Sequence, residues 1–232
     1  MNYVMSDIHG EYDKFLEMLQ KIDLQNDDTL YILGNAVDIG SEPLEVLNEM
    51  ADRPNVYPII GNHEQMAVDA LSLLMDDIAE GRLDKLSANT MQAIAEWKNQ
   101  GGMTTLEEFI KLVEEERQDI LDYLCDFANF EVVDTGGKTF ILVHRGLGNF
   151  EKKGKKLKSY SVKDLTKTEV DYEKQYFDDD SIYIVSGHTP TYTLCGEDKI
   201  YQSHNNICIN CGVAEGRKLG CLCLDTMEEF YI

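Results

Sequence analysis

Four of the five histidines of this chain lie in short loops beside glycine, aspartate or asparagine. His9, His63, His144 and His188 stand in the segments DIHG, GNHE, VHRG and SGHT. A lone histidine is more often a structural residue than a ligand, but four in the same kind of loop indicate a common site. His204 stands outside this pattern, and we expect it at the surface.

These residue types suit the hydrolysis of a phosphate ester at neutral pH. That reaction needs an acidified water and an electrophile for the phosphoryl oxygens, and two metal ions about 3.5 to 4 Å apart supply both. Histidine nitrogen, carboxylate and amide oxygen are ligands that manganese, iron and zinc accept. Cysteine is absent from these loops, so they do not describe a structural zinc site of the thiolate kind.

The N-terminal part of the chain supplies a strand, a loop and a helix three times, and the loops carry candidate histidines or acids. Apolar runs predict strands at 3–5, 29–33 and 56–60. Helical periodicity predicts helices at 11–22, 42–50 and 66–75. Three such units indicate a sheet covered by helices.

The rest of the chain changes from helical to β-rich sequence. Residues 76–126 are acidic and helix-rich, and we predict a helical insertion, or cap, near the site. Later apolar runs predict the strands of a second sheet, at 130–134, 139–144, 182–187, 199–202, 206–210, 219–225 and a last run to 232. The basic cluster at 152–158 (KKGKKLK) and the polar stretch at 159–180 are predicted to be flexible surface loops.

The net charge of −22 at pH 7 decides against several classes of partner. An acidic surface repels nucleic-acid backbone and anionic membranes, so we expect neither as a partner. No stretch approaches the roughly 18 apolar residues of a membrane helix, and MNYVMSDIHG lacks the layout of a signal peptide. We therefore expect a cytoplasmic protein with a single domain at 1–232, and leave its oligomeric state open.

The cysteines near the C-terminus allow two interpretations. Cys208 and Cys211, followed by Cys221 and Cys223, could form a zinc knuckle or could be buried strand residues. Both pairs lie in apolar runs, and the second pair departs from the usual zinc-ligand spacing. The structural interpretation is therefore favoured.

Five segments, SDIHG, GNAVDIG, GNHE, VHRG and SGHT, occur in the order and spacing of a known family. The chain resembles the phosphoprotein phosphatases among the calcineurin-like metallophosphoesterases, especially their bacterial and phage serine/threonine phosphatase branch. The family motifs are Gly-Asp-x-His-Gly, Gly-Asp-x-Val-Asp-Arg-Gly, Gly-Asn-His-Glu, a later His beside Gly, and Gly-His-Thr. The resemblance covers nearly the whole chain and implies an α/β (α+β) fold in four layers, αββα, with two sheets face to face.

The resemblance also implies two divalent ions, with manganese expected and iron or zinc as alternatives. The first ion would be held by Asp7 and His9, and the second by Asn62, His144 and His188. The residue at position 35 would bridge the two. A hydroxide activated by both ions would attack the phosphorus directly, without a covalent intermediate.

The resemblance gives two further residues a catalytic role. His63, oriented by Asp38, would act as general acid toward the leaving alkoxide. Imidazole suits this role because its pKa lies near the working pH.

The chain departs from the family at the bridging position, where Asn35 stands in place of aspartate. An amide carries no charge and is a weak bridge between two dications. We therefore expect one ion, the first, to be lost or loosened. Asn35 is either natural or introduced, and the sequence fits both alternatives.

Two further departures concern the grip on the substrate phosphate. Ile39 and Ile60 stand where this branch usually has arginines. Each lost guanidinium removes charge-assisted bonds of about 1.5 to 3 kcal/mol. Arg145 is the first candidate substitute, with a surface salt bridge as its alternative role, and the lysines of the basic cluster are the second candidate.

Three functions stay open at this point. The leading hypothesis is a serine/threonine protein phosphatase acting on phosphorylated proteins. The first rival is a hydrolase of dinucleoside polyphosphates or small phosphoesters, which the missing arginines slightly favour. The other is a pseudo-phosphatase that binds a phosphorylated partner without turnover, which Asn35, Ile39 and Ile60 motivate and the intact acid and ligands oppose.

Overall fold

A computed structural model describes residues 1–82, 84–148, 150 and 157–232. Three parallel strands begin one sheet: β1 (Asn2–Met5), β2 (Thr29–Ile32) and β3 (Val56–Pro58). Two C-terminal strands, β9 (Gly220–Cys223) and β10 (Glu229–Tyr231), extend it with antiparallel pairing. The strand order is β10-β9-β1-β2-β3.

The second sheet is built from the middle of the chain. Its strands are β4 (Glu131–Thr135), β5 (Lys138–Val143), β6 (Ile182–Ser186), β7 (Tyr201–Ser203) and β8 (Asn206–Cys208). They lie in the order β4-β5-β6-β8-β7, with β5, β6 and β8 parallel. The prediction that all C-terminal strands join this sheet is wrong for β9 and β10. All four residues of β9 are buried, and β1 supplies the covered neighbour that such a strand needs.

The two sheets share an apolar core. Val4, Leu33 and Ile59 from the first sheet meet Phe140 and Val185 from the second. Helices cover the outer face of the first sheet: α1 (Tyr12–Lys21), α2 (Pro43–Ala51), α3 (Asn62–Ala79), α4 (Ala88–Lys98), α5 (Met103–Phe109) and α6 (Glu114–Cys125). The predicted αββα sandwich is confirmed.

The outer face of the second sheet is covered mostly by irregular chain, with the short helices α7 (Val162–Lys167) and α8 (Thr191–Cys195). The prediction of a flexible loop at 159–180 is wrong. Leu165, Val170, Tyr172 and Tyr176 are buried in one cluster against this sheet. Such widely spaced apolar residues show no periodicity, which is why the stretch reads as a loop. Residues 152–156 of the predicted basic cluster lie outside the described residues.

Cys208, Cys211, Cys221 and Cys223 are buried free thiols in or beside β8 and β9. Burial raises the pKa of Cys208 to about 12, which keeps it protonated. Within the described part of the chain, no helix is long and apolar enough to cross a membrane.

Candidate metal and phosphoester site

The candidate ligands follow the carboxyl ends of the parallel strands. Asp7, Asn35 and Asn62 come after β1, β2 and β3, and His144 and His188 come after β5 and β6. Ligands bind to α/β sheets in the crevice outside the carboxyl ends of the strands. Because the two sheets pack face to face, these ends meet, and residues that follow five different strands are brought together.

Several of these loop residues have left-handed backbone conformations. The φ angles are 54° at Asp7, 50° at His9, 54° at Asn35, 70° at Asp38 and 59° at His188. This conformation costs non-glycine residues roughly 1 kcal/mol or more, and such residues persist only where the surrounding structure fixes them. Five of the nine non-glycine residues with positive φ in the described part of the chain are therefore candidate site residues.

Glu64 is the residue that fixes two of these loops, and sequence reasoning gave it no role. Its buried carboxylate accepts hydrogen bonds from the N–H groups of Gly61 at 2.9 Å, Asn35 at 2.8 Å and Ala36 at 2.7 Å. Burial raises the pKa of Glu64, and these bonds oppose that shift. The sequence signal was present in the GNHE segment, where Glu64 stands three residues after Gly61.

The same bond corrects the predicted start of α3. We predicted a helix from 66, with 61–64 as a loop, but α3 begins at Asn62. The Glu64 side chain accepts the Gly61 N–H and so closes the first turn around 61–64. Asn62 and His63 therefore sit on the first turn of a helix, which holds both side chains more rigidly than a loop would.

One part of the site offers converging ligand atoms. Ligand atoms of Asp7, His144 and His188 lie within 4.8 Å of one another. His144 Nδ1 lies 2.6 Å from the Leu33 carbonyl, which orients the ring and turns Nε2 toward Asn62 Oδ1 at 2.9 Å. His188 Nδ1 is buried and has no hydrogen-bond partner among the described residues. A buried ring nitrogen without a partner, close to a carboxylate and a second imidazole, fits a ligand of a divalent cation.

The protonation states in this part of the site agree with metal binding. Burial lowers the pKa of His188 to about 4 and that of His144 well below its ordinary value. Both rings are therefore neutral at pH 7, the form that binds metals. Burial also raises the pKa of Asp7 to about 7, and the hydrogen bond from the His188 N–H opposes that shift.

The part of the site around His9 and Asn35 is different. His9 Nδ1 lies 2.9 Å from the Val37 carbonyl, and its Nε2 lies 4.0 Å from Asp7 Oδ1. Burial and then the nearby His63 lower the pKa of His9 to about 3, so its ring is also neutral. These features of His9 fit a metal ligand.

Asn35 does not fit a bridging ligand. Its Oδ1 accepts the His63 N–H at 3.2 Å, and its Nδ2 donates to Asp7 Oδ1 at 2.9 Å. The amide orientation follows from this network, because a flipped amide would set Nδ2 against the His63 N–H, two donors face to face. An N–H group thus points at Asp7 where a bridging oxygen would be required.

The candidate acid is well placed in this geometry. His63 Nδ1 lies 2.8 Å from Asp38 Oδ2, and Asp38 is fully buried. Burial lowers the pKa of His63, but the hydrogen bond and charge of Asp38 outweigh it and raise that pKa. The His63 ring packs edge-on against His9, with centroids 4.7 Å apart. Sequence reasoning missed Trp97 and Thr105, which also bond to Asp38.

Comparison with known families supplies the identity of the domain. The family model for calcineurin-like phosphoesterases matches residues 3–214. The chain belongs to this family. A metallophosphoesterase of this kind uses divalent metal ions, in agreement with the ligand geometry around Asp7, His144 and His188.

Known relatives of this phosphoesterase include two functional types. Serine/threonine-protein phosphatase 2 of Salmonella typhimurium is 27% identical over 146 residues, 61% of this chain and 56% of that protein. A symmetrical bis(5'-nucleosyl)-tetraphosphatase of Salmonella paratyphi A is 28% identical over 114 residues, 48% of this chain and 40% of that protein. The aligned regions thus span about half of these relatives.

A solved structure supports the fold over the full chain. A crystal structure proposed to be a diadenosine tetraphosphatase superposes with a TM-score of 0.63 at 14% identity, covering 100% of this chain and 92% of that one. At this identity the likeness concerns the fold alone.

Of the candidate phosphate contacts, Arg145 lies next to the site, whereas Ile39 and Ile60 mark positions where the family has arginines. Ile60 is buried in the core, and Ile39 is 44% exposed. Arg145 lines a cleft of about 480 Å³ together with Asn62 and Lys167. Its guanidinium donates to Glu169 Oε1 at 2.6 Å. Arg145 is thus next to the ligands but is held in an ion pair.

Proposed function

We propose that this chain hydrolyses phosphomonoesters, with phosphoserine and phosphothreonine in proteins as the substrate class. The observation that supports this most directly is the buried His63–Asp38 pair beside the converging side chains of Asp7, His144 and His188. A positioned acid matters most where the leaving group is a poor one, such as the alkoxide of serine. The cytoplasmic location and the absence of nucleic-acid or membrane partners stay predictions.

We also propose that the ligands are for two divalent ions, manganese first, with iron or zinc as alternatives. Asn62, His144 and His188 would hold one ion, and Asp7 and His9 the other. Asn35 would be a weak bridge between the two ions. Such ions, when bound, polarise phosphoryl oxygens and lower the pKa of water. Histidine nitrogen with carboxylate and amide oxygen is a donor set that these three metals accept.

The side chains of the chain have separate tasks in this proposal. Asp38 binds His63 Nδ1, which leaves Nε2 to deliver a proton to the leaving oxygen. The raised pKa of His63 keeps that proton available near neutral pH. Arg145, beside Asn62 in the cleft, is the candidate contact for the substrate phosphate.

The cleft supports a phosphoprotein over a dinucleoside polyphosphate. Asp69 and Glu96 line it together with Arg145 and Lys167, so the charges of these four side chains balance. The two carboxylates would repel a chain of several phosphates in this cleft. A phosphopeptide brings only one phosphate and would be repelled less. The relatives include both a serine/threonine-protein phosphatase and a nucleosyl-tetraphosphatase, so both substrates belong in the test.

The pseudo-phosphatase alternative is favoured by one observation. The Asn35 amide donates to Asp7 in the place of a bridging oxygen. A site with this bond could bind a phosphorylated partner while turning it over slowly.

A substrate panel tests the proposal. We would compare a phosphoserine peptide, diadenosine tetraphosphate and p-nitrophenyl phosphate with Mn²⁺, for this chain and for Asn35→Asp, with Asp7→Asn as the control for contaminating activity. We expect the peptide to have a higher kcat/KM than diadenosine tetraphosphate in both proteins. A preference for diadenosine tetraphosphate would contradict the substrate class. Peptide binding without turnover in both proteins would favour the pseudo-phosphatase.

A further inference from the structure

The turn between α4 and α5 lies against the loop that follows β2. The Ile39 N–H donates to the Gly101 carbonyl at 3.1 Å, and the Asp38 N–H donates to the Thr105 hydroxyl at 3.0 Å. Gly101 has φ +98°, and a Cβ there would lie 2.8 Å from Ile39 Cγ1. A Cβ at Gly102 would likewise collide with the Trp97 indole. The turn therefore packs closely against this loop at Gly101 and against the Trp97 side chain at Gly102.

The Asp38 carboxylate is shared between these helices and the candidate acid. Its Oδ2 accepts from His63 Nδ1 at 2.8 Å and from Trp97 Nε1 at 2.7 Å, and its Oδ1 accepts from the Thr105 hydroxyl at 2.6 Å. A fully buried carboxylate requires such donors, because desolvation without them is costly. Trp97 on α4 and Thr105 on α5 therefore fix the rotation of this carboxylate.

We propose that Trp97 and Thr105 are positioning residues for proton transfer by His63. The inference rests on the proposed role of His63 as general acid. The indole and the hydroxyl hold Asp38, and Asp38 holds the imidazole ring with Nε2 toward the substrate. If either donor is lost, the carboxylate can rotate and the ring loses its alignment, which proton transfer depends on. The helices at 88–109 thereby set the geometry of the acid.

The first test needs no activity. Tryptophan occurs once in the chain, so its indole N–H gives a single nitrogen–proton resonance. We would record this resonance and the His63 ring signals in protein loaded with diamagnetic Zn²⁺ and in metal-free protein. Thr105→Val removes a donor to the Asp38 carboxylate and the acceptor of the Asp38 N–H while keeping the side-chain shape, so both sets of signals should shift. Thr105→Ser should restore them.

A neighbouring residue supplies the matched control for this test. The Thr104 hydroxyl is buried and has no hydrogen-bond partner among the described residues. Thr104→Val is the same chemical change one position away, and it should leave the indole and His63 signals in place.

The second test separates proton donation from general damage. In the Asn35→Asp protein, Trp97→Phe and Thr105→Val should each lower kcat for a phosphoserine peptide about 10- to 100-fold, within the range that a general acid contributes. Hydrolysis of p-nitrophenyl phosphate should fall less than about threefold, because its leaving group needs little protonation. KM should stay the same, and Thr105→Ser should recover the peptide activity.

Two results would overturn the positioning proposal. One is that Thr105→Val leaves the indole and His63 signals unchanged. The other is an equal loss on both substrates, which would indicate a structural role only. If no phosphoester is hydrolysed at all, the proposed function fails, and the resonance test still decides whether Trp97 and Thr105 position His63.

Discussion

Two halves of the candidate metal site contrast in how their polar atoms are satisfied. The histidine half consists of Asn62, His144 and His188, the bridge half consists of His9 and Asn35, and Asp7 lies beside both. In the histidine half, His188 Nδ1 is buried without a partner among the described residues. In the bridge half, the Asn35 amide bonds internally to Asp7 and to the His63 backbone.

Asparagine and aspartate at position 35 would interact differently with Asp7. With aspartate at position 35, its outer oxygen would face the Asp7 carboxylate, and the two anions would need a cation between them. The Asn35 N–H meets that need with a hydrogen bond at 2.9 Å. The Asn35 amide is therefore satisfied without an ion, while His188 Nδ1 has no partner among the described residues.

The largest expected effect separates the two halves by metal affinity. His188→Ala should weaken Mn²⁺ binding at least about 100-fold, since losing even an outer hydrogen-bond partner of a ligand costs 10- to 100-fold. His9→Ala should change the same affinity less than about threefold, because the bridge half contributes little to the tightly bound ion. Isothermal titration with Mn²⁺ measures both.

The matched comparison uses the Asn35→Asp background. There, His9→Ala should abolish the weaker of two binding events, since the bridge half regains its charge. Equal losses from His188→Ala and His9→Ala in the unaltered chain would contradict the division into two halves.

The next largest expected effect is a loss of stability when Glu64, which bonds to backbone N–H groups beside both halves, is replaced. Glu64→Gln replaces one acceptor oxygen with a donor that faces the N–H groups of Gly61, Asn35 or Ala36. We expect the free energy of unfolding to fall by at least about 2 kcal/mol, because bonds to a buried charged acceptor are lost. Urea denaturation followed by circular dichroism measures it.

Glu116→Gln is the control for Glu64→Gln. Glu116 is exposed and accepts one backbone N–H, that of Val113, at 3.1 Å. Glu116→Gln should lower the free energy of unfolding by less than about 1 kcal/mol. A similar cost at both positions would mean that Glu64 does not hold the loops together.

The smallest effect concerns the substrate phosphate. Arg145→Met should raise KM for p-nitrophenyl phosphate about tenfold, since a charge-assisted bond to phosphate is worth about 1.5 kcal/mol or more. Lys167→Met removes a charge from the same cleft and should raise KM less than about twofold. Steady-state kinetics with Mn²⁺ distinguishes them. If Lys167→Met has the larger effect, Arg145 is only the ion-pair partner of Glu169.

The sequence was most informative where local pattern and chemistry coincide. The loop motifs indicated the candidate ligands, and the strand-loop-helix order predicted the first sheet, which carries several of them. The joining of β9 to β1 could not be predicted, since strand pairing across more than 200 residues leaves no local signal. The same holds for Trp97 and Thr105, whose bonds to Asp38 span 59 and 67 residues.

The buried segment at 159–180 escaped prediction for a related reason. Tyr172 and Tyr176 pack on the second sheet from irregular backbone, so their spacing follows neither helix nor strand. Glu64 is a different case, because its spacing from Gly61 was visible and only its three partners in the structure reveal its importance.

We propose that Asn35 weakens metal binding in this phosphoesterase. The most direct test is the Mn²⁺ content of the purified chain and of Asn35→Asp, measured by mass spectrometry together with p-nitrophenyl phosphate hydrolysis. Asn48→Asp, which adds the same charge at an exposed position, is the control. We predict one tightly held ion in this chain, two in Asn35→Asp, and at least about 100-fold faster hydrolysis in the variant. Two ions and equal activity in both proteins would contradict the account.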